Sequence, residues 1–256
     1  MVSVNDDADV SIDDIEPGSD LRGVDLSGSD LQNIDVTGAD LSGADLSEAN
    51  ISNGCFVDVD FTEADLTGAT IGGASFVGAD FSRAVLDTVD AYADITETDF
   101  YNAVFEQASL READLIHTSL ICIEATNADF TEARLSFTDC TNATVSQSEL
   151  SGVEMKHGTL TDAIMCNVTA TDAEFLYSDM QHADLSASEF VECDMRGVDA
   201  SHAIMTGANV SDSNLSEAVF THADLTGATV DGTEFTDATF THATINEVDI
   251  DVPRYA

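Results

Sequence analysis

Positive charge is nearly absent from this chain. Seven lysines and arginines stand against 50 aspartates and glutamates, a formal net charge of −43, and Lys156 is the only lysine. Direct binding of nucleic acid needs a basic footprint, so it is excluded, and anionic membrane surfaces are excluded on the same ground. No run of residues approaches the roughly 18 apolar positions of a membrane span. Met1 to Asp7 carries neither the basic nor the apolar region of a secretory signal, which points to a cytoplasmic protein. The five cysteines (Cys55, Cys122, Cys140, Cys166, Cys193) are odd in number and form no C-x-x-C pair, as expected of free thiols in a reducing compartment. Catalytic signatures are missing too. No Gly-rich phosphate loop follows a strand, no serine sits in a nucleophile elbow, and no cofactor motif is present, so no enzymatic activity is expected.

What is present is order. Hydrophobic residues make up 43% of the chain and recur every five positions, which a disordered acidic chain would not show. Large apolar centres fall at Leu21, Leu26, Leu31, Val36, Leu41 and onward to Leu86, then from Ile95 in steps of five to Tyr255. Only Ala125, Cys140, Ala170 and Ala200 are small centres. Two before the centre sits, in most units, a small residue (Ala39, Ala44, Ala49, Ala64), and the residue between them is commonly Asp (Asp20, Asp25, Asp30, Asp35, Asp40, Asp45). The consensus is Ala-Asp-Leu-Ser/Thr-Gly/Glu. A period of five fits neither an α-helix nor a long strand. The small residue and the centre, two apart, share one side of a short strand, and the Asp between them faces water. The remaining pair turns the corner, so the chain coils on itself.

His182, His202, His222 and His242 recur at every fourth unit, and the stretch 201–210 parallels 221–230. This higher period means four five-residue units per turn, although a recent duplication would also create it. The only prolines, Pro17 and Pro253, lie at the two ends, where a missing N–H does no harm to inter-coil bonding. Ile12 and Ile15 are placed to cover the first coil and Tyr255 to close the last.

With this motif over residues 19–255, the chain resembles the pentapeptide-repeat proteins. The resemblance implies an all-β fold, a right-handed quadrilateral β-helix of about 12 coils, preceded by an acidic leader or cap at residues 1–18. It implies a non-enzymatic interaction or scaffold module whose partner is another protein. Some members bind type II topoisomerases by imitating DNA, which makes DNA gyrase a candidate partner and modulation of gyrase the alternative function.

Three features stand out from the repeat. Leu86 to Ile95 spans nine residues rather than ten, a one-residue register slip within 87–94. It is either a local kink absorbed by the stack or a protruding feature at Tyr92 that a partner recognises. Wrapped with four units to the coil, Asp20, Asp40, Asp60, Asp80 and, after the slip, Asp99 form one acidic face. Carboxylates stacked about 4.8 Å apart repel by about 0.9 kcal/mol per neighbour in water, and molar salt screens most of this. The acidity therefore suits a salt-loving cell. Finally, the His182, His202, His222 and His242 column is either a solvated corner copied with its coil or a site for Zn²⁺ or a similar ion.

Overall fold

The computed structural model describes residues 10–11, 14–89 and 100–248. Five-residue units follow one plan. The centre is buried as far as Val230, the next two residues form a turn, the small residue comes next, and the fifth makes a parallel bridge to the neighbouring coil. The bridges join residues 20 apart, so four units close one coil and the bridges fall in four columns. We number the faces by the residue that opens each column: Asp20, Asp25, Asp30 and Asp35. The result is a β-solenoid with four faces and four corners.

The unit closes through four backbone bonds, one of them from the bridging residue to the coil before (Asp45 N–H to Val24 O at 2.9 Å). The centre and the second turn residue donate to the following coil (Leu41 N–H to Asp60 O at 2.8 Å, Gly43 N–H to Thr62 O at 2.8 Å). The inward residue donates back across the turn, as Ala44 N–H does to Leu41 O at 3.0 Å. A positive φ at the second turn residue is required for this geometry. Glycine meets it freely at Gly43 (φ 65), but Phe137 (φ 62) and Tyr177 (φ 55) hold it as well. Such residues carry roughly 1 kcal/mol of left-handed strain each, and the corner persists because the same N–H is tied to the next coil (Phe137 N–H to Lys156 O, 2.9 Å). Pro17 and Gly18 open the stack with the same turn, closed by Ser19 N–H to Glu16 O at 3.1 Å.

The interior is a column of apolar side chains in continuous contact, from Ile15 to Val230. Ile15 is buried at the first coil as expected; Ile12, Pro253 and Tyr255 lie outside the described residues. Aromatic rings stack rung on rung: Phe61 on Phe81 at 4.7 Å and Phe220 on Phe240 at 5.0 Å. Where the inward residue is serine, its hydroxyl is satisfied inside. Ser188 Oγ donates to Met165 O at 2.7 Å and accepts Val168 N–H at 3.1 Å, so it is spliced into the turn of the coil before. Ser213 does the same for the turn from Phe190 to Cys193.

The slip takes a form that the five-residue frame alone leaves open. Asp80 bridges to Val104 and Val85 to Ser109, so this coil is longer than its neighbours by four. A gain of four and a loss of one shift the frame identically. Pairing decides for the gain. The rings follow the pairing: Phe100 stacks on Phe76 at 4.9 Å, and Phe81 stacks on Phe105 at 5.1 Å, so Phe100 is not the rung after Phe81. Residues 90–99, including Tyr92 and Asp99, lie outside the described residues.

Candidate functional site

The first face brings Asp20, Asp40, Asp60 and Asp80 into one bridge column, and its next rung is Val104 rather than Asp99. These carboxylates are built into their own turns. Asp40 Oδ1 accepts Ser42 N–H at 3.1 Å and its hydroxyl at 2.7 Å; Asp60 and Asp80 accept the N–H of Thr62 and Ser82, both at 2.8 Å. The contact needs an oxygen and not a charge, because Asn50, Asn209 and Asn214 make it too. Hence the frequent Asp of the motif is a turn cap first. At Asp35 and Asp224 the Thr37 and Thr226 side chains, followed by their N–H groups, hold the carboxyl below the usual carboxylate range. Asp20 is lowered mainly by its two-pronged bond to Arg22, at 2.7 Å for each prong.

Every described cation is engaged by a neighbour. Among the described residues, Arg22 pairs with Asp20, Arg83 with Glu63, Arg111 with Asp129, Arg134 with Asp114, Lys156 with Glu154 and Glu174, and Arg196 with Asp194. Several of these pairs reach across adjacent coils, tying rungs of like charge together.

His182, His202, His222 and His242 do form a column on the corner between the fourth and first faces. Their rings stack at 4.8, 4.9 and 4.9 Å, with planes within 20° of parallel. Stacking directs the in-plane nitrogens outward side by side, whereas a metal needs lone pairs converging on one point about 2 Å away. Among the described residues no three His, Cys, Asp or Glu side chains converge in that way. The column is an aromatic ladder built on left-handed corner positions (φ near 60 in each).

A second ladder escapes a reading by residue type. His117, Phe137, His157 and Tyr177 stack at 4.9, 5.3 and 5.5 Å on the corner between the third and fourth faces. Phe137 and Tyr177 are 51% and 49% exposed. Tyr177 leans over the next rung, where a Cβ on Gly197 would lie 2.3 Å from its ring. The signal was present in position, two residues after the same centre on successive coils, but hidden by the change of residue identity. All six histidines of the chain belong to these two ladders.

The interior holds a void of about 20 Å³ lined by apolar side chains, among them Leu120, Phe130, Leu150 and Met165, where the centres shrink to Cys140 and Val145. Burial pushes the thiols of Cys140 and Cys193 up to about 12, while Cys55, Cys122 and Cys166 lie partly exposed. No helix among the described residues is long and apolar enough to cross a membrane.

Comparison with known proteins agrees with this geometry. The family profile described as pentapeptide repeats matches eight times, over residues 19–56, 44–83, 60–90, 91–121, 128–167, 148–186, 178–216 and 213–251. Among solved structures, the chain is similar to HetL, a pentapeptide repeat protein involved in heterocyst differentiation regulation from Nostoc sp. strain PCC 7120. Identity is 25% over 86% of this chain and 89% of that one, with a TM-score of 0.54. It is also similar to a pentapeptide repeat protein of the Arabidopsis thaliana thylakoid lumen, at 25% identity over 43% of this chain and 68% of that one, TM-score 0.30. A third is QnrB1, a plasmid-mediated fluoroquinolone resistance protein, at 18% identity over 82% and 91%, TM-score 0.38. No curated protein matches. With its repeat profile matched along nearly the whole chain and its units closing into a four-faced solenoid, the protein belongs to the pentapeptide-repeat family.

Proposed function

We propose that the protein is a non-enzymatic scaffold: a right-handed rod of about 12 coils whose outer faces bind another protein in a high-salt cytosol. One observation carries the reading. The polar groups that in another fold might do chemistry are engaged by the repeat itself, with Asp caps on their own turns and every described cation paired. What remains is long, regular surface, which suits recognition and not turnover. The similarity to HetL over most of both chains supports a regulatory contact, since HetL is involved in the regulation of heterocyst differentiation.

The test separates surface from fold. A partner recovered on the immobilised protein from its own cells is challenged with variants in which outward Asp residues become Asn. Loss of binding with an unchanged melting temperature supports the scaffold. Binding that survives on every face sinks it.

A second reading, imitation of DNA toward a type II topoisomerase such as DNA gyrase, is favoured by the first two faces. There Asp20, Asp40, Asp60 and Asp80 lie beside Asp25, Asp45 and Asp65, two adjacent carboxylate columns at one end of the rod. The columns give way to Val104 and Val85, so the imitation would be confined to about four coils. Inhibition of gyrase supercoiling that disappears on Asp40→Asn with Asp60→Asn would support it; no inhibition at micromolar protein would end it.

A further inference from the structure

Two ladders of opposite character mark the two ends of one strip of surface. The bridge column of the first face is continuous over twelve rungs, from Asp20 to Thr244, and its first four are Asp20, Asp40, Asp60 and Asp80. The corner beside it, between the fourth and first faces, ends in the four stacked and exposed imidazoles of His182, His202, His222 and His242. Both ladders advance one residue per coil. The carboxylates hold the first four rungs and the imidazoles the last four, so a two-fold axis perpendicular to the rod at its middle rungs exchanges the two sets.

We propose that this strip is where two copies of the chain associate, antiparallel, with each imidazole ladder seated on the carboxylate ladder of the other copy. The axis falls between Glu124 and Thr144 along the rod, and between the corner and the first-face column across it. His182 then meets Asp80 of the second copy, His202 meets Asp60, His222 meets Asp40 and His242 meets Asp20, and the set occurs twice. The stacked rings turn their nitrogens outward, one ring per rung. A carboxylate that caps its turn through one oxygen, as Asp60 and Asp80 do, has a second with which to accept.

The other rungs agree with this register. Glu124 meets Asn142, Asp184 meets Gly78 and Asp224 meets Gly38, while the acids of the corner, Asp58 and Asp162, meet Ile204 and Val104. No carboxylate of either column faces another. A shift of one rung either way sets Asp162 against Asp80 or against Glu124, so the charges select this register over its neighbours. Ile164 and Ile204, exposed where the motif commonly carries an acid, are covered. At the rim Glu63 comes opposite Asp199, but Arg83 pairs with Glu63 and itself comes opposite Asp179. Twelve rungs at about 4.8 Å make the strip about 53 Å long, and at roughly 12 Å of width the two copies bury on the order of 1,300 Å², within the range of specific interfaces. The contact is mostly polar, so the dimer forms well above low micromolar concentration.

Protons favour the association, because histidine changes charge between pH 5 and 8. Within one copy the ladder is surrounded by Asp162 at its foot, Asp179 and Asp199 on the fourth face, and Asp184 and Asp224 on the first. These are the same in monomer and dimer. Association adds the four carboxylates of the second copy, of which Asp20 is already paired with Arg22, so the His242 rung contributes least. Concentrated salt removes the long-range repulsion between two acidic rods and affects contacts at hydrogen-bond distance least.

Sedimentation equilibrium of the full chain in 2 M KCl, from low micromolar to several hundred micromolar, tests this at pH 6 and pH 8.5. The expected result is a monomer–dimer equilibrium at pH 6 that is at least tenfold weaker at pH 8.5. His202→Asn with His222→Asn should weaken the pH 6 dimer at least tenfold. Asn is tolerated there, because Asn102 (φ 58) and Asn142 (φ 59) occupy the same corner, and circular dichroism confirms folding. His117→Asn with His157→Asn, on the other corner, should leave the dimer unchanged, which separates the ladder from a general loss of net charge. Asn102→Cys with Ile164→Cys, combined with Cys55→Ser, Cys122→Ser and Cys166→Ser, should give a covalent dimer under a mild oxidant, and neither new thiol alone should. A monomer at every concentration at pH 6 overturns the proposal, as does a dimer indifferent to the His202 and His222 pair or weakened equally by the His117 and His157 pair. A dimer that does not cross-link overturns the antiparallel register.

Discussion

Phe100 stacks on Phe76 at 4.9 Å across a coil that is longer than its neighbours by four. The core keeps its ring spacing across it, with Phe81 on Phe105 at 5.1 Å. Phe100 also meets Phe81 and Phe105 edge-on, at 5.9 and 5.2 Å. Three ring contacts at one rung make it the splice that joins the two regular stretches of the stack. Replacing Phe100 by Ala should therefore cost about 3–5 kcal/mol, read as a lower urea midpoint. Phe100→Leu should cost less than about 1.5 kcal/mol, because Leu120 already fills the next rung. Equal, small losses for both would mean that the splice is held by something other than the rings.

Much of this fold can be read from the residues themselves. A centre every five positions leaves one way to bury Leu21, Leu26, Leu31 and Val36 together, and histidines at every fourth unit give the number of sides. The lengthened coil is not readable in this way, because nine residues between Leu86 and Ile95 fit a lost residue or four gained ones equally well. Only the pairing of Asp80 with Val104 distinguishes them. The candidate sites divide similarly. The His182 column shows because one residue type repeats, while the ladder through Phe137 and Tyr177 is invisible to a search for identity and plain once corners are compared by position. The turn-capping role of the Asp residues is likewise hidden, since sequence does not say which oxygen faces the chain.

Thiol chemistry should sort the cysteines by slot. Cys140 occupies a centre and Cys193 an inward position, and burial raises both thiols to about 12. At pH 8 they are protonated as well as covered, so iodoacetamide should reach only Cys55, Cys122 and Cys166 in the folded protein. Cys55 and Cys166 each share a hydrogen bond with a neighbouring hydroxyl, from Thr37 and Ser146. Mass spectrometry after timed labelling should find Cys140 and Cys193 modified only once the chain is unfolded. Early labelling of either would show that the core opens locally.

Spliced serines make a subtler prediction. Ser188→Ala removes a buried hydroxyl that joins Val168 N–H to Met165 O. Those two groups can then close on each other, as Ala183 N–H and Met180 O do at 3.1 Å. Since neither need remain unpaired, the loss should stay within about 1 kcal/mol. A drop of more than about 3 kcal/mol would mean that the turn cannot close and that the hydroxyl is a required part of the stack.

Acid should act in a defined window. Asp35 and Asp224 have folded-state pKa values below their ordinary ones because Thr37 and Thr226 bond to the charged carboxylate. The unfolded chain therefore binds protons first, near pH 4. The stabilisation is complete above that pH and is lost as pH falls through the lower folded values. Melting temperature in 2 M KCl should thus hold level from pH 7 to about 5 and then decline toward pH 2. Asp224→Asn should shallow the decline, and a curve that stays level to pH 2 would rule out this linkage.

The same Asp-to-Asn exchange isolates the charge of the first face. Asp60 stands between Asp40 and Asp80 in one bridge column and caps its own turn through Thr62 N–H at 2.8 Å. Asn keeps the oxygen, as Asn50 shows with Ser52 at 3.2 Å for the N–H and 2.7 Å for the hydroxyl. What Asp60→Asn removes is repulsion with two neighbours, at most about 1–2 kcal/mol in water at low ionic strength. In dilute buffer the variant should melt about 3–6 °C above the wild type. In 2 M KCl, where the screening length is shorter than the rung spacing, the two should melt together. The wild type itself should melt higher in the salt than in dilute buffer, since the other carboxylate columns gain by the same screening. A wild type equally stable in both would detach the acidity from salt and leave recognition by a partner as its reason.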